Sequence, residues 1–397
     1  MVTVAEYENQ PASVRVGPVS AIADIAIHDN LTDAESIWRG METPDHLHTA
    51  FQRFDFLHAW QRHAGTHQGI KPLIVVASGR DGRPLMLLPL GSARENGVHV
   101  ARFLGGKHPT FNMGLWRRDF AASAGKADID RVLAAIATHR DRIDLLALAH
   151  QPERWDGVPN PLAQLAHQPS ANGCPVLRMA PGARPEDIIS KGFRRRVRAK
   201  EKKLKTLPGY RFVIPRTDED ITRTLDAFFA VKPLRMAEQN LPNVFADAGI
   251  EAFIRTACLS DAPPGERAIV IHALECDDEI IAMFAGVADG TRLSMIYNTY
   301  TMSENARYSP GLILLRHIID HYAALGYRAF DLGIGSDSYK LWFCKDAEPI
   351  FDSFIPLTAC GRLAAVGLSS LNHAKRMVKQ NPALMAMAHR LRAALHR

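Results

Sequence analysis

The chain has 397 residues, more than one hydrophobic core usually takes, and its 47% hydrophobic and 23% charged residues are ordinary globular values, so two fully folded domains are expected. A formal charge of +6 favours a polyanionic partner: nucleic acid, an anionic membrane face or a phosphorylated cofactor. No apolar run approaches the roughly 20 residues of a membrane-spanning helix, Met1–Val19 lacks the pattern of a secretory signal, and five cysteines without a C-x-x-C pair read as reduced thiols, which together imply a cytoplasmic protein.

Periodicity predicts a strand at Ser20–Ile27, a helix over Thr32–Met41 capped by Thr32, and a second helix over Phe51–His63. Three aliphatic runs divided by Gly, Asp and Asn turns follow, Pro72–Ala77, Pro84–Leu90 and Val98–Leu104, the pattern of an antiparallel meander. Lys126–Thr138 reads as helix, Asp141–Leu148 as strand, Pro161–His167 as a short helix and Cys174–Met179 as a closing strand. The second half repeats this order, with Tyr210–Pro215 as strand, Asp218–Val231 and Ile250–Leu259 as helices, and Arg267–Glu275, Ile280–Ala288 and Arg292–Tyr300 as strands. Leu312–Leu325 is then helix, Arg328–Leu332 strand, Ser338–Phe343 a helical turn and Pro349–Pro356 the last strand. Both halves spell β-α-α-β-β-β-α-β-α-β, which implies a tandem duplication. Between them lies a strongly basic helix, Ile188–Leu204, with Phe193, Val197 and Leu204 as an apolar stripe; beyond the second repeat, Gly361–Arg397 is a basic amphipathic stretch broken at Pro382.

Ser309-Pro310-Gly311 stands at a predicted helix start, where proline suits the first turn, serine can cap it and glycine admits a ligand close to the backbone. Free amides and the helix dipole then suit an anion such as the diphosphate of coenzyme A. Asp331, flanked by Ala329-Phe330 and Leu332-Gly333, is costly to bury alone; it is held by a partner such as Lys340, or it orients substrate or acts as a base. His272 is either a core histidine of its strand or a base facing the cleft. The pairs His63/His67 and His317/His321 have i, i+4 spacing but no third ligand nearby in sequence, so no metal is expected. No G-x-S-x-G, Walker or dinucleotide fingerprint is present. Gly105-Gly106-Lys107-His108 with Asn112 is a glycine turn or part of a cleft shared by the domains, and the basic helix is a solvated face, an anionic-membrane contact or a tRNA contact.

The run Tyr308-Ser309-Pro310-Gly311-Leu312-Ile313-Leu314-Leu315, with Gly326, Phe330-Asp331-Leu332-Gly333 and Tyr339-Lys340, resembles the signature of the CelD/BcsL-type acetyltransferases, a family of the tandem-GNAT, FemAB-like superfamily. Thr49-Ala50-Phe51-Gln52, Trp60, Leu88-Pro89-Leu90, Arg194–Leu204, Phe228-Phe229 and Lys232 extend the resemblance over about Thr49–Pro356. It implies an α/β (α+β) fold of tandem GNAT-like domains, each a mixed, mostly antiparallel sheet flanked by helices. The corresponding segments are an N-terminal GNAT-like domain (1–182), a basic linker helix (183–208), an acyltransferase domain (209–360) and a basic amphipathic C-terminal helix (361–397).

The same resemblance implies that the strands on either side of the Pro310 helix splay, and that acyl-CoA or acetyl-CoA lies between them. Tyr308, Ser309, Pro310, Gly311, Leu312, Asn298 and Tyr300 would then bind the donor. Tyr339 would protonate the departing thiolate, aided by Lys340, with Asp331 and His272 as further catalytic candidates. Lys232, Arg235, Tyr297, Lys107, His108 and Asn112 would meet the acceptor. The expected function is metal-free acyl transfer from acyl-CoA to an amine or hydroxyl on a cell-envelope saccharide or lipid, with peripheral contact at the inner membrane face and no nucleic-acid partner. The alternatives are FemAB-like aminoacyl transfer from tRNA, which the absence of room for a helical arm in Asp218–Leu259 disfavours, and a non-catalytic tandem-GNAT binding protein of an exopolysaccharide system.

Overall fold

The computed structural model describes residues 20–139, 143–260, 267–335, 339–381 and 384. Asp141 of the expected strand, Ser338 of the expected turn and the end of the basic tail, with Arg390, Arg392 and Arg397, lie outside the described residues.

In chain order the principal strands are β1 (Asp24–His28), β2 (Lys71–Ser78), β3 (Pro84–Glu95), β4 (Val98–Phe103), β5 (Leu145–Pro152), β6 (Cys174–Arg178), β7 (Arg211–Val213), β8 (Val270–Glu275), β9 (Ile280–Ala288), β10 (Arg292–Tyr300), β11 (Ala329–Asp331), β12 (Asp346–Glu348) and β13 (Ile350–Pro356). The principal helices are α1 (Glu35–Gly40), α2 (Phe54–Trp60), α3 (Lys126–Ala137), α4 (Lys191–Leu204), α5 (Asp218–Glu238), α6 (Ile250–Cys258), α7 (Pro310–Ala324) and α8 (Ala359–Gln380).

The strands form two large sheets of matching design. One runs β1-β2-β3-β4-β5-β13 and the other β7-β8-β9-β10-β11-β6-β12. In each, the first four strands are antiparallel and the fifth joins in parallel, β4 with β5 and β10 with β11. These are tandem GNAT-like units, as the repeated element order predicts. One expectation is corrected: neither half closes its own sheet. β6, from the first half, pairs with β11 and β12 of the second sheet, while β13, from the second half, pairs with β5 of the first.

The cores follow from strand alternation. Met283, Ala285 and Val287 of β9 join a large core that runs from the first half through α5 and α6, whereas Ala282 and Phe284 join a second core with α4 and α7. The second sheet is therefore a central layer, with α5 and α6 on one face and α4 and α7 on the other. Ser190, Thr217 and Thr358 cap α4, α5 and α8 with their side chains. Thr32 caps nothing: it opens a 3-10 turn, Thr32–Ala34, and α1 starts only at Glu35. Among the described residues no helix is long and apolar enough to cross a membrane.

Candidate active site

The two parallel strands at the centre of the second sheet separate soon after they meet. Arg292↔Ala329, Leu293↔Phe330 and Ser294↔Asp331 are paired; β11 then ends, and the Leu332 N–H donates to Pro175 O instead, at 3.4 Å. From Met295 to Tyr300, β10 keeps β9 on one side and, among the described residues, has no ladder partner on the other. Within this stretch Ile296 is an extra residue between the pairs Met295↔Gly286 and Tyr297↔Ala285, a bulge that bends the strand where the gap opens.

α7 begins beside this gap. Its N-cap, Ser309, is in the left-handed region (φ 55°, ψ 53°), a conformation that costs a non-glycine residue about 1–2 kcal/mol. The sequence expectation that Ser309 caps the helix is corrected here, because its hydroxyl accepts a hydrogen bond from Lys200 Nζ at 2.7 Å and gives none of its capacity to the first turn. Pro310 is buried at the start and no acidic residue occupies the first turn. The helix start is thus an uncapped dipole end with an ammonium beside it, suited to an anion. At Gly311 an added Cβ would stand 3.9 Å from Tyr300 Cδ1 and 4.0 Å from Phe284 Cε2, ordinary contact distances, so a methyl group would fit and a larger side chain would enter the space between those rings.

A cavity of about 280 Å³ occupies this place, with Asn298, Tyr300, Ser309, Gly311 and Leu312 in its wall, together with Tyr339. The sequence reading did not place Phe284, Thr299, Ala306, Leu315 and Trp342 in the site, and they complete the lining. Tyr308 lies outside the lining; its ring packs in the core of α4 and α7 and under the Arg307 guanidinium, 5.0 Å away. Trp342 is 51% exposed at the mouth, with Arg196 5.8 Å from its ring.

α5 runs along the open edge of β10. Lys232 Nζ donates to Asn298 O at 2.8 Å, and burial together with the neighbouring Arg235 charge holds its pKa below the usual lysine value. The Arg235 guanidinium lies 3.5 Å over the Tyr300 ring and donates to Thr301 O at 3.4 Å. Both cations are committed to the strand, which makes them struts for the cavity wall. Tyr297 lies on the other face, its hydroxyl 3.5 Å from Cys258 Sγ.

Three other candidates sit in the interior. Asp331 is fully buried; its carboxylate accepts from Ser294 Oγ and from the Gly333 N–H, and burial pushes its pKa up to about 6 against the opposing charge of Arg292. The expected Asp331–Lys340 pair is not what forms: buried Lys340 donates to Gly333 O at 3.2 Å and Ile334 O at 3.1 Å, tying down the loop after β11. His272 is also buried, 3.0 Å from Tyr322 Oη, with a pKa lowered to about 3 by burial, so it faces the core and not the cavity. Of the histidine pairs, His63 meets Thr256 and His317 meets Glu201.

The basic helix α4 is docked on α7. Phe193, Val197 and Leu204 enter the second core, Arg194 Nη1 holds Asp320 at 2.8 Å, and buried Glu201 accepts from Arg316 at 2.8 Å and pairs with His317 at 2.6 Å. Burial alone would raise the Glu201 pKa, but the His317 bond and the Arg316 charge bring it below the usual value. This docking is what carries Lys200 to Ser309.

A second cavity, about 580 Å³, lies where the halves meet. Lys107, His108 and Trp60 come to it from the first half, and Phe245, Ile296 and Tyr297 from the second. Burial lowers His108 to a pKa of about 4. Gly106 (φ 60°) passes over Trp60, where an added Cβ would stand 3.0 Å from the indole. Asn112 is not in this lining: its N–H and Nδ2 donate to His150 O and Ala149 O of β5, at 3.0 and 3.1 Å.

A parallel strand pair that splays beside an uncapped helix start defines a GNAT-type acyltransferase fold. Comparison with known proteins agrees: residues 191–341 match the family described as acetyltransferase (GNAT) domain. No curated protein sequence matches the chain. Among solved structures, FemX is similar over 84% of this chain and 98% of its own, with TM-score 0.57 and 10% identity. A conserved protein of unknown function from Bacteroides thetaiotaomicron VPI-5482 is similar over 84% and 100%, with TM-score 0.53 and 12% identity. A C-terminal domain assigned to a lysylphosphatidylglycerol synthetase of Agrobacterium fabrum is similar over 87% and 97%, with TM-score 0.51 and 10% identity. At these identities the likeness is one of fold.

Proposed function

We propose that the protein transfers an acyl group from acyl-CoA, acetyl-CoA being the smallest such donor, to an amine or hydroxyl on a cell-envelope saccharide or lipid. One observation carries the reading: β10 and β11 part beside a helix start without an acid or a side-chain cap, and a cavity fills the space between. The fit of the donor rests on Gly311, which leaves room against Tyr300 and Phe284, and on Lys200, which sets positive charge at the first turn of α7.

Acyl-CoA, when bound, supplies an activated thioester carbonyl. Its diphosphate would be held by the amides near Gly311 and by Lys200, and its arm by the edge of β10 at Asn298 and Tyr300. Leu312, Leu315 and Trp342 exclude water from that wall, and Tyr339 holds a phenolic proton within it. Lys232 and Arg235 position the strand through its carbonyls. The acceptor would come from the larger cavity between the halves, which reaches β10 at Ile296 and Tyr297, next along the strand to Asn298.

The signature at Tyr308–Lys340 supports the CelD/BcsL-type branch and hence an envelope polysaccharide or lipid acceptor. Exposed Leu363, Val366, Leu371 and Met377 on the basic helix α8 support peripheral contact with an anionic membrane from the cytoplasmic side. Calorimetric titration with acetyl-, octanoyl- and palmitoyl-CoA tests the donor. Saturable binding that Gly311→Trp abolishes is the expected result, and a chain that binds none of the three would end the proposal.

A further inference from the structure

At the opposite end of β10 from the donor cavity, the hairpin Arg154–Pro159 of the first half folds over the starts of β10 and β11. The cavity enclosed there is about 320 Å³, and its wall includes Arg154, Arg178, Arg292, Arg328, Trp155 and Glu348. It shares no residue with the lining of the donor cavity, and along β10 the nearest lining residues, Arg292 and Asn298, stand roughly 20 Å apart at about 3.3 Å per residue.

The charges in this wall do not cancel. Glu348 is shared, its Oε2 accepting from Arg292 at 2.6 Å and from Arg178 at 3.2 Å. Asp156, the other carboxylate in the wall, is held at 3.0 Å by Arg118, which lies outside it. No carboxylate pairs with Arg154 or Arg328 among the described residues. Arg292 forms the floor: its side chain is 8% exposed, its guanidinium lies 4.3 Å from the Trp155 ring centroid, and its Nη1 is buried without a hydrogen-bond partner, as is Trp155 Nε1. Asp331 and Glu348 face the Arg292 charge, but its Nη1 keeps a hydrogen-bonding capacity unmet beneath three exposed guanidinium groups, a capacity that an anion would complete.

We propose that this cavity is a second binding site, which takes a phosphate-bearing ligand independently of the donor cavity. A dianion matches the surplus charge better than a single carboxylate does, and guanidinium forks suit phosphate oxygens. The volume is at the low end for ligand pockets, which suits a diphosphate or a sugar phosphate.

The test is calorimetry on the full chain with inorganic diphosphate and with glucose 1-phosphate at low salt, alongside sedimentation with phosphatidylglycerol vesicles. Each is run on wild type, on Gly311→Trp and on the double variant Arg154→Gln/Arg328→Gln. Both arginines are exposed, so the double variant should fold, and circular dichroism checks this; Arg328→Gln alone serves if it does not. Saturable binding kept in Gly311→Trp and weakened at least tenfold in the arginine variant is the expected result. The soluble arms point to a free phosphate compound; binding only to vesicles, with the same dependence, points to a lipid phosphate. Binding that vanishes in Gly311→Trp and survives in the arginine variant would assign the phosphate to α7 and overturn the proposal, as would no saturable binding in any arm.

Discussion

The two halves share a strand order and a splay, yet only one of the splays is open. In the first half β4 and β5 pair at Val100↔Leu145 and Ala101↔Leu146 and then part, as β10 and β11 do. There the chain fills its own gap, with Asn112 taking the carbonyls of Ala149 and His150. The helix start is closed as well: Asp128 of α3 accepts from the Gly125 N–H at 2.9 Å and from Ser20 Oγ and the Ala21 N–H at 2.8 Å. Where α3 has a carboxylate, α7 has none and gains Lys200. One amide and one carboxylate close in the first half what stays open in the second, so the duplicated fold offers one open gap and not two.

The sharpest way to break this contrast is to close the open half. Gly311→Trp should weaken acyl-CoA binding at least a thousandfold, about 4 kcal/mol, by calorimetry, with the fold kept. Next in size is Asp331, at the point where β10 and β11 part. Its pKa of about 6 lies above that of an unfolded carboxylate, so the stability it confers is complete below about pH 4 and is lost as pH rises through 6. Urea unfolding should show wild type losing about 3 kcal/mol relative to Asp331→Asn across that window, with a flat difference above it.

On the closed side, Asp128→Ala should cost about 2 kcal/mol in urea, because three donors lose a charged acceptor, and should leave acyl-CoA affinity unchanged. The smallest effect expected is that of Lys200→Met, a loss of about 1 kcal/mol in acyl-CoA binding that shrinks at high salt. Equal affinities at every salt concentration would remove Lys200 from the donor site.

Much of this was legible because periodicity and helix-start chemistry are local. The repeat of elements and the role of Ser309-Pro310-Gly311 as a helix start, with Asn298, Tyr300 and Tyr339 gathered around it, could be read from spacing and resemblance. What failed was partner choice. Cys174–Arg178 and Ile350–Pro356 show the buried runs of inner strands, but alternation sets which face a side chain takes and says nothing about which sheet receives it. Lys200 was hidden among the cations of α4, and only the docking of Phe193, Val197 and Leu204 on α7 singles it out. Lys340 was one partner the sequence offered for Asp331; Ser294 and the Gly333 N–H hold the carboxylate instead, and Lys340 goes to the carbonyls of Gly333 and Ile334. Asn112 looked like a ligand contact because a polar residue after a glycine turn carries no mark that it will hydrogen-bond to β5.

The swap of β6 and β13 makes the two halves a clasp. Cutting the chain near residue 182 would strand β6 on the wrong fragment, leaving β11 and β12 with bare edges in one piece and β5 without its outer neighbour in the other. Separately expressed halves should therefore each fold poorly, and each sheet is completed by a strand from the other half.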